Sequence, residues 1–130
     1  MTLSLLQRSA LEALGTGFLA FTVGRLSSTE FNGFEQALSI GLCLALLIHL
    51  LGRFSGAHFN PAVTLLLNHQ RFGLKAFTTR AGLVEIGSYV LAQIVGAWIG
   101  LGLTPPGAVP DVMQLGGCPP SSCSVRCCSL

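Results

Sequence analysis

A few side chains in this 130-residue sequence have the types and settings to do chemistry: Glu12 and His49 inside apolar runs, the string Ser55-Gly56-Ala57-His58-Phe59-Asn60-Pro61-Ala62-Val63-Thr64, and a late group of cysteines. A carboxylate with a histidine could move protons, but no serine–histidine pairing and no His-Glu-x-x-His pattern develops that theme, so an intramembrane enzyme is disfavoured. An intramembrane histidine such as His49 reads more simply as hydrogen-bonded structure than as a pH gate, and His69 as a solvated helix end. Cys118, Cys123, Cys127 and Cys128 lack a C-x2-C pair and a nearby histidine, so no metal site and no cofactor is expected. Cys43 stands alone, which leaves the body of the chain without a disulfide framework. The ending Cys127-Cys128-Ser129-Leu130 has the outline of a prenylation box, but its middle residues are not aliphatic.

The string around Asn60 is the informative one. Asparagine at the cap, proline in the first helical position and an apolar run behind them start a helix at Pro61. Taken by itself, Asn60-Pro61-Ala62 is explained by an ordinary capped helix. Its length changes the reading: the apolar run to Asn68 is worth about 12 Å of helix, enough for half a bilayer. A half-length apolar helix after an extended Gly-Ala-His stretch reads as a re-entrant segment. Unpaired backbone at that depth is tolerated only where it is buried in protein or lines a wet cavity. At such a helix start the free amides and peptide dipoles repel cations. Asn60 can donate to a passing oxygen, and the carbonyls of Gly56, Ala57 and His58 can accept. A small neutral hydroxylic molecule satisfies both.

The elements that must hold this segment follow from composition. Residues are 51% apolar and only 9% charged, against roughly 25% charged in a soluble domain. Seven basic and five acidic side chains cannot cover a small water-soluble globule, and a net charge of +2 is too little for a nucleic-acid partner. Lipid is therefore part of the solvent. Charge-poor stretches predict three transmembrane helices near 9–26, 35–53 and 82–103, each close to the roughly 20 residues a bilayer requires. Glu12 inside the first run, and no small-residue cleavage site after it, argue against a signal peptide. Arg53, Arg71, Lys75 and Arg80 crowd the 53–80 segment without an acidic residue, whereas Arg25 is alone between the first two spans. This bias puts the N-terminus and the 54–81 segment in the cytoplasm and the C-terminal tail on the opposite side. Pro105-Pro106 ends the third span, and Ser88, Ala92, Gly96 and Gly100 line one of its faces with small residues for close helix packing.

The ten-residue string, thirty-odd residues after one span and about twenty before another, resembles the first re-entrant loop of the aquaporin (major intrinsic protein) family. Glu12-Ala13-Leu14-Gly15-Thr16 and Ala92-Gln93 with Gly96 match the family in order, so the resemblance covers roughly residues 8–108. It implies an all-α membrane protein, here three transmembrane helices plus one re-entrant half-helix. The whole family fold has two inverted repeats, conducts water or small neutral solutes, and forms homotetramers with a pore in each subunit. The resemblance makes Asn60, with Pro61 and Ala62, the pore asparagine motif, and Gly56, Ala57 and His58 the source of pore-lining carbonyls. Glu12, with Gln93, would support the loop by accepting hydrogen bonds from its amides. Ile40 would stand at the constriction, where the family often has an aromatic side chain.

A second Asn-Pro-Ala segment and the arginine that follows it in the family are absent from these 130 residues. Residues 109–130 are expected to be an outer loop and a poorly ordered tail, and a truncated or frame-shifted product would account for them. The expected function is thus a channel of this family, present as a half that does not conduct alone. The alternatives are a glycerol-type facilitator, or a non-conducting fragment that packs against a full-length relative.

Overall fold

The computed structural model describes residues 3–27 and 31–104. Five helices follow in order: α1 (Leu5–Ser27), α2 (Gly33–Ser55), α3 (Pro61–Phe72), α4 (Lys75–Thr78) and α5 (Arg80–Gly102). No strand occurs among the described residues. The expected tail and its cysteines lie outside the described residues.

Each start and stop has a local cause. Asn32 caps α2 with a capping box: its side chain accepts from the Phe34 and Glu35 amides while the Glu35 carboxylate accepts from the Asn32 amide. Gly56, at φ 96°, ends α2 in a left-handed conformation that costs glycine little. Asn60 and Pro61 start α3, and Thr79 caps α5 by accepting from the Gly82 amide. Helix α3 runs through 12 residues instead of the eight expected. The apolar run ends at Leu67, but Asn68 to Arg71 carry the helix outward to Gly73, so glycine rather than polarity stops it. The four-residue α4 is too short to show a sequence period, and none of the expected elements corresponds to it.

Helices α2 and α5 are each 23 residues long and apolar enough to cross a membrane. Helix α1 matches them in length but carries Arg8, Glu12 and Arg25. The main packing is α1 on α5, while α2 packs along α1 and meets α5 through the Ser55 carbonyl and Tyr89, and α3 lies on α5 and α4. The α1–α5 crossing is close because its surfaces are nearly bare backbone. A Cβ on Gly96 would collide with the Ala13 carbonyl, and one on Gly100 with the Gly17 carbonyl. Ala92 and Ser88 continue this face more loosely, half-buried along an open apolar groove with Ser9, Ala10 and Ala13. Ser88 turns its hydroxyl back to the Val84 carbonyl, 2.7 Å away.

Few large apolar side chains are buried, whereas Leu38, Leu42, Leu46, Leu91, Ile94 and Trp98 are among many that are exposed. The interior holds polar groups instead: Glu12, Thr64 and Gln93 are almost fully covered. An apolar exterior around a bonded polar interior is the arrangement lipid favours, because hydrocarbon cannot satisfy a polar group.

Candidate functional site: a loop bracketed by a buried carboxylate

Residues 56–60 leave α2, turn sharply and begin α3. Gly56, Ala57 and Phe59 have positive φ values of 96°, 50° and 48°. For alanine and phenylalanine this left-handed backbone costs roughly 1–2 kcal/mol per residue, so the surroundings must hold it. Glu12 does so. Its Oε1 accepts from Ser55 Oγ at 2.7 Å and from the His58 amide at 3.1 Å. Its Oε2 accepts from the Phe59 amide at 2.7 Å and from Gln93 Nε2 at 2.9 Å. Ser55 Oγ in turn accepts from the Ala57 amide at 3.1 Å. Three successive loop amides thus converge on one carboxylate or on the hydroxyl bonded to it, a concave anion nest filled by the protein's own side chain.

The underside of the loop is equally closed. The Phe59 ring is buried in the notch above Gly15, where a Cβ would strike it. Thr64 Oγ1 lies 3.2 Å from His58 Nδ1, and Gln93 Nε2 donates to it at 3.0 Å. Buried Tyr89 donates to the Ser55 carbonyl at 2.7 Å and stacks obliquely with the His58 ring. Asn68, also buried, donates to the Thr64 carbonyl at 2.9 Å.

The other side of the loop is open. Asn60 is exposed, and its Oδ1 accepts from the Ala62 amide at 2.8 Å, which turns the amide nitrogen to the helix exterior. Pro61 and Ala62 are exposed beside it. The carbonyls of Gly56, Ala57 and His58 accept no hydrogen bond from any described residue. A polar cavity of about 300 Å³ adjoins Gly56 and His58 and is lined by Arg8, Arg53, Arg71 and Glu85. The local excess of guanidinium groups there disfavours cations.

Glu12, Gln93, Gly56, Ala57, His58 and Asn60 are therefore brought together, with Pro61 and Ala62 adjoining. Ile40 is not part of this cluster: it is half-buried on α2, about four helical turns before Ser55. His49 is exposed on α2 rather than bonded into the bundle, because it falls on the side turned away from α1. Ser55, Phe59, Thr64 and Tyr89 belong to the site without having been assigned parts from sequence. Spacing is the signal that could have found Tyr89: Glu85, Tyr89 and Gln93 recur every four residues on α5, as do Arg8 and Glu12 on α1, giving two facing polar stripes in apolar helices.

These features define an all-helical integral membrane protein. Residues 2–117 match the major intrinsic protein family, and the chain belongs to it. It is 34% identical over 103 residues to nodulin-26 of Glycine max, an alignment covering 75% of this chain and 35% of that protein. It is 38% identical over 107 residues to aquaglyceroporin AqpS of Rhizobium meliloti, covering 76% and 42%. With aquaglyceroporin-2 of Rhizophagus irregularis the identity is 34% over 113 residues, covering 82% and 33%. The chain thus spans about a third to two fifths of the length of these relatives. No solved structure matches it significantly.

Proposed function

We propose that these residues form one half of a membrane channel for water or small neutral solutes, and that this polypeptide alone does not conduct. The observation that carries the reading is the asymmetry of the loop: every amide from Ala57 to Phe59 is engaged by Glu12 or Ser55, while the carbonyls of Gly56, Ala57 and His58 and the side-chain nitrogen of exposed Asn60 have no partner among the described residues. Acceptors in a row beside one donor suit a molecule that both gives and takes hydrogen bonds. The positive end of α3 disfavours cations at the same place.

In this reading α1, α2 and α5 span the cell membrane with the N-terminus cytoplasmic, and homotetramers form as the family implies. Catalysis has no part in it. Two copies cannot complete the pore cheaply, because the repeats of this fold are inverted and the basic 53–80 segment favours a single orientation. Passage of a glycerol-type solute is the second reading, favoured by two relatives named aquaglyceroporins, while aliphatic Ile40 at the implied constriction position weakens an assignment of water selectivity.

Stopped-flow light scattering on vesicles tests both parts. The 130-residue polypeptide is expected to leave water permeability at the level of empty vesicles. A chimera that joins it to the portion of the rhizobial aquaglyceroporin it does not match is expected to conduct, and Asn60→Asp to abolish that conduction. Flux through the polypeptide alone would overturn the half-pore reading, and a silent, well-inserted chimera would overturn the channel reading.

A further inference from the structure

One ion pair stands outside the loop and yet is connected to it. Arg8, in the first turn of α1, donates from Nη2 to Glu85 Oε1 at 2.6 Å and from Nε to the Tyr89 hydroxyl at 2.9 Å. Both partners are largely covered, with side-chain exposures of 28% for Arg8 and 21% for Glu85. Tyr89 donates onward to the Ser55 carbonyl, and Ser55 Oγ donates to Glu12. Hydrogen bonds joined through the covalent frame of Ser55 therefore lead from Arg8 and Glu85 to the carboxylate that shapes the loop.

We infer that Arg8 and Glu85 are a positioning latch for the loop, acting through Tyr89. A guanidinium is a rigid fork, so anchoring Nη2 on Glu85 fixes where Nε–H points. That N–H occupies a lone pair of the tyrosine oxygen, and the single hydroxyl hydrogen is then directed at the Ser55 carbonyl. Ser55 is both the last residue of α2 and a donor to Glu12, so its placement sets where the left-handed stretch begins. Arg53 and Arg71 line the same cavity, but neither bonds Tyr89. Only the consequence for permeation rests on the proposed channel function.

Tyr89 is the only tyrosine in the sequence, so 3-fluorotyrosine gives one fluorine resonance that reports the latch directly. The measurement uses the full chain in lipid nanodiscs. Arg8→Lys keeps the charge but lacks the fork, and Glu85→Gln keeps the shape but lacks the charge. Both are expected to shift the resonance and to speed exchange of the His58 and Phe59 amides by about tenfold through local opening. Their double variant should shift the resonance no further than Arg8→Lys, because both break one connection. Arg53→Lys is expected to leave it in place. An unmoved resonance in Arg8→Lys and Glu85→Gln, additive shifts in the double variant, or an equal shift in Arg53→Lys would overturn the latch. The two single variants approach the pair from opposite ends, so misfolding of one leaves the other to decide. Failure of the vesicle experiment would sink the channel reading without touching the fluorine result.

Discussion

Glu12 accepts from four donors with two oxygens, which explains how a carboxylate is tolerated where hydrocarbon surrounds the helices. Glutamine at this position has the same shape but one oxygen and a donating nitrogen, so two of the four donors lose their acceptor. Glu12→Gln is expected to lower stability by about 2–3 kcal/mol, the usual cost of leaving buried donors unmatched, measured by unfolding in mixed detergent micelles. An unchanged unfolding curve would show that the carboxylate is dispensable for the loop. Thr16 presents the reverse case, a buried hydroxyl with no partner among the described residues. Thr16→Val removes only the unmatched group and is expected to stabilise the chain by about 1 kcal/mol in the same assay.

At the scale of elements, the α1–α5 crossing depends on missing side chains. Gly96→Ala or Gly100→Ala must push the two backbones apart and is expected to cost at least about 2 kcal/mol, as overpacking does. Gly41 on α2 is the contrast: a Cβ there would meet nothing within 4 Å. Gly41→Ala is accordingly expected to be neutral or to gain up to about 1 kcal/mol from helix propensity. Micelle unfolding of the variants separates the outcomes. The spans were legible in the sequence because charges punctuate apolar runs, and the start of α3 because Asn60 and Pro61 are a start signal at any depth. The end of α3 was less so: Asn68 to Arg71 are as compatible with a loop as with helix, and only Gly73 distinguishes them. The seat of Phe59 over Gly15 was not legible either, since it depends on a left-handed phenylalanine that no local preference would select.

At the scale of the whole molecule, Arg8 shares one cavity with Arg53 and Arg71 and another with Arg80, and Lys75, the single lysine in the sequence, is exposed between Arg71 and Arg80 in chain order. A membrane-impermeant amine reagent added to inside-out vesicles is therefore expected to modify Lys75, and the same reagent outside intact spheroplasts to leave it unmodified. The opposite pattern would reverse the orientation proposed from charge. The Glu12 bracket also has an implication in time. Tyr89 follows Ser55 by 34 residues and Gln93 follows Glu12 by 81, so two of the groups that secure the loop are synthesised well after it. At typical elongation rates of about 5–20 residues per second, a ribosome needs roughly two to seven seconds to travel from Ser55 to Tyr89. During that interval the loop cannot be finished: Glu12 and the amides of His58 and Phe59 can meet, but the far side of the carboxylate and the Ser55 carbonyl still lack their partners. The loop is consequently a structure that the third long helix completes on arrival, and a nascent chain halted before Tyr89 holds its half-helix without the wall that closes it.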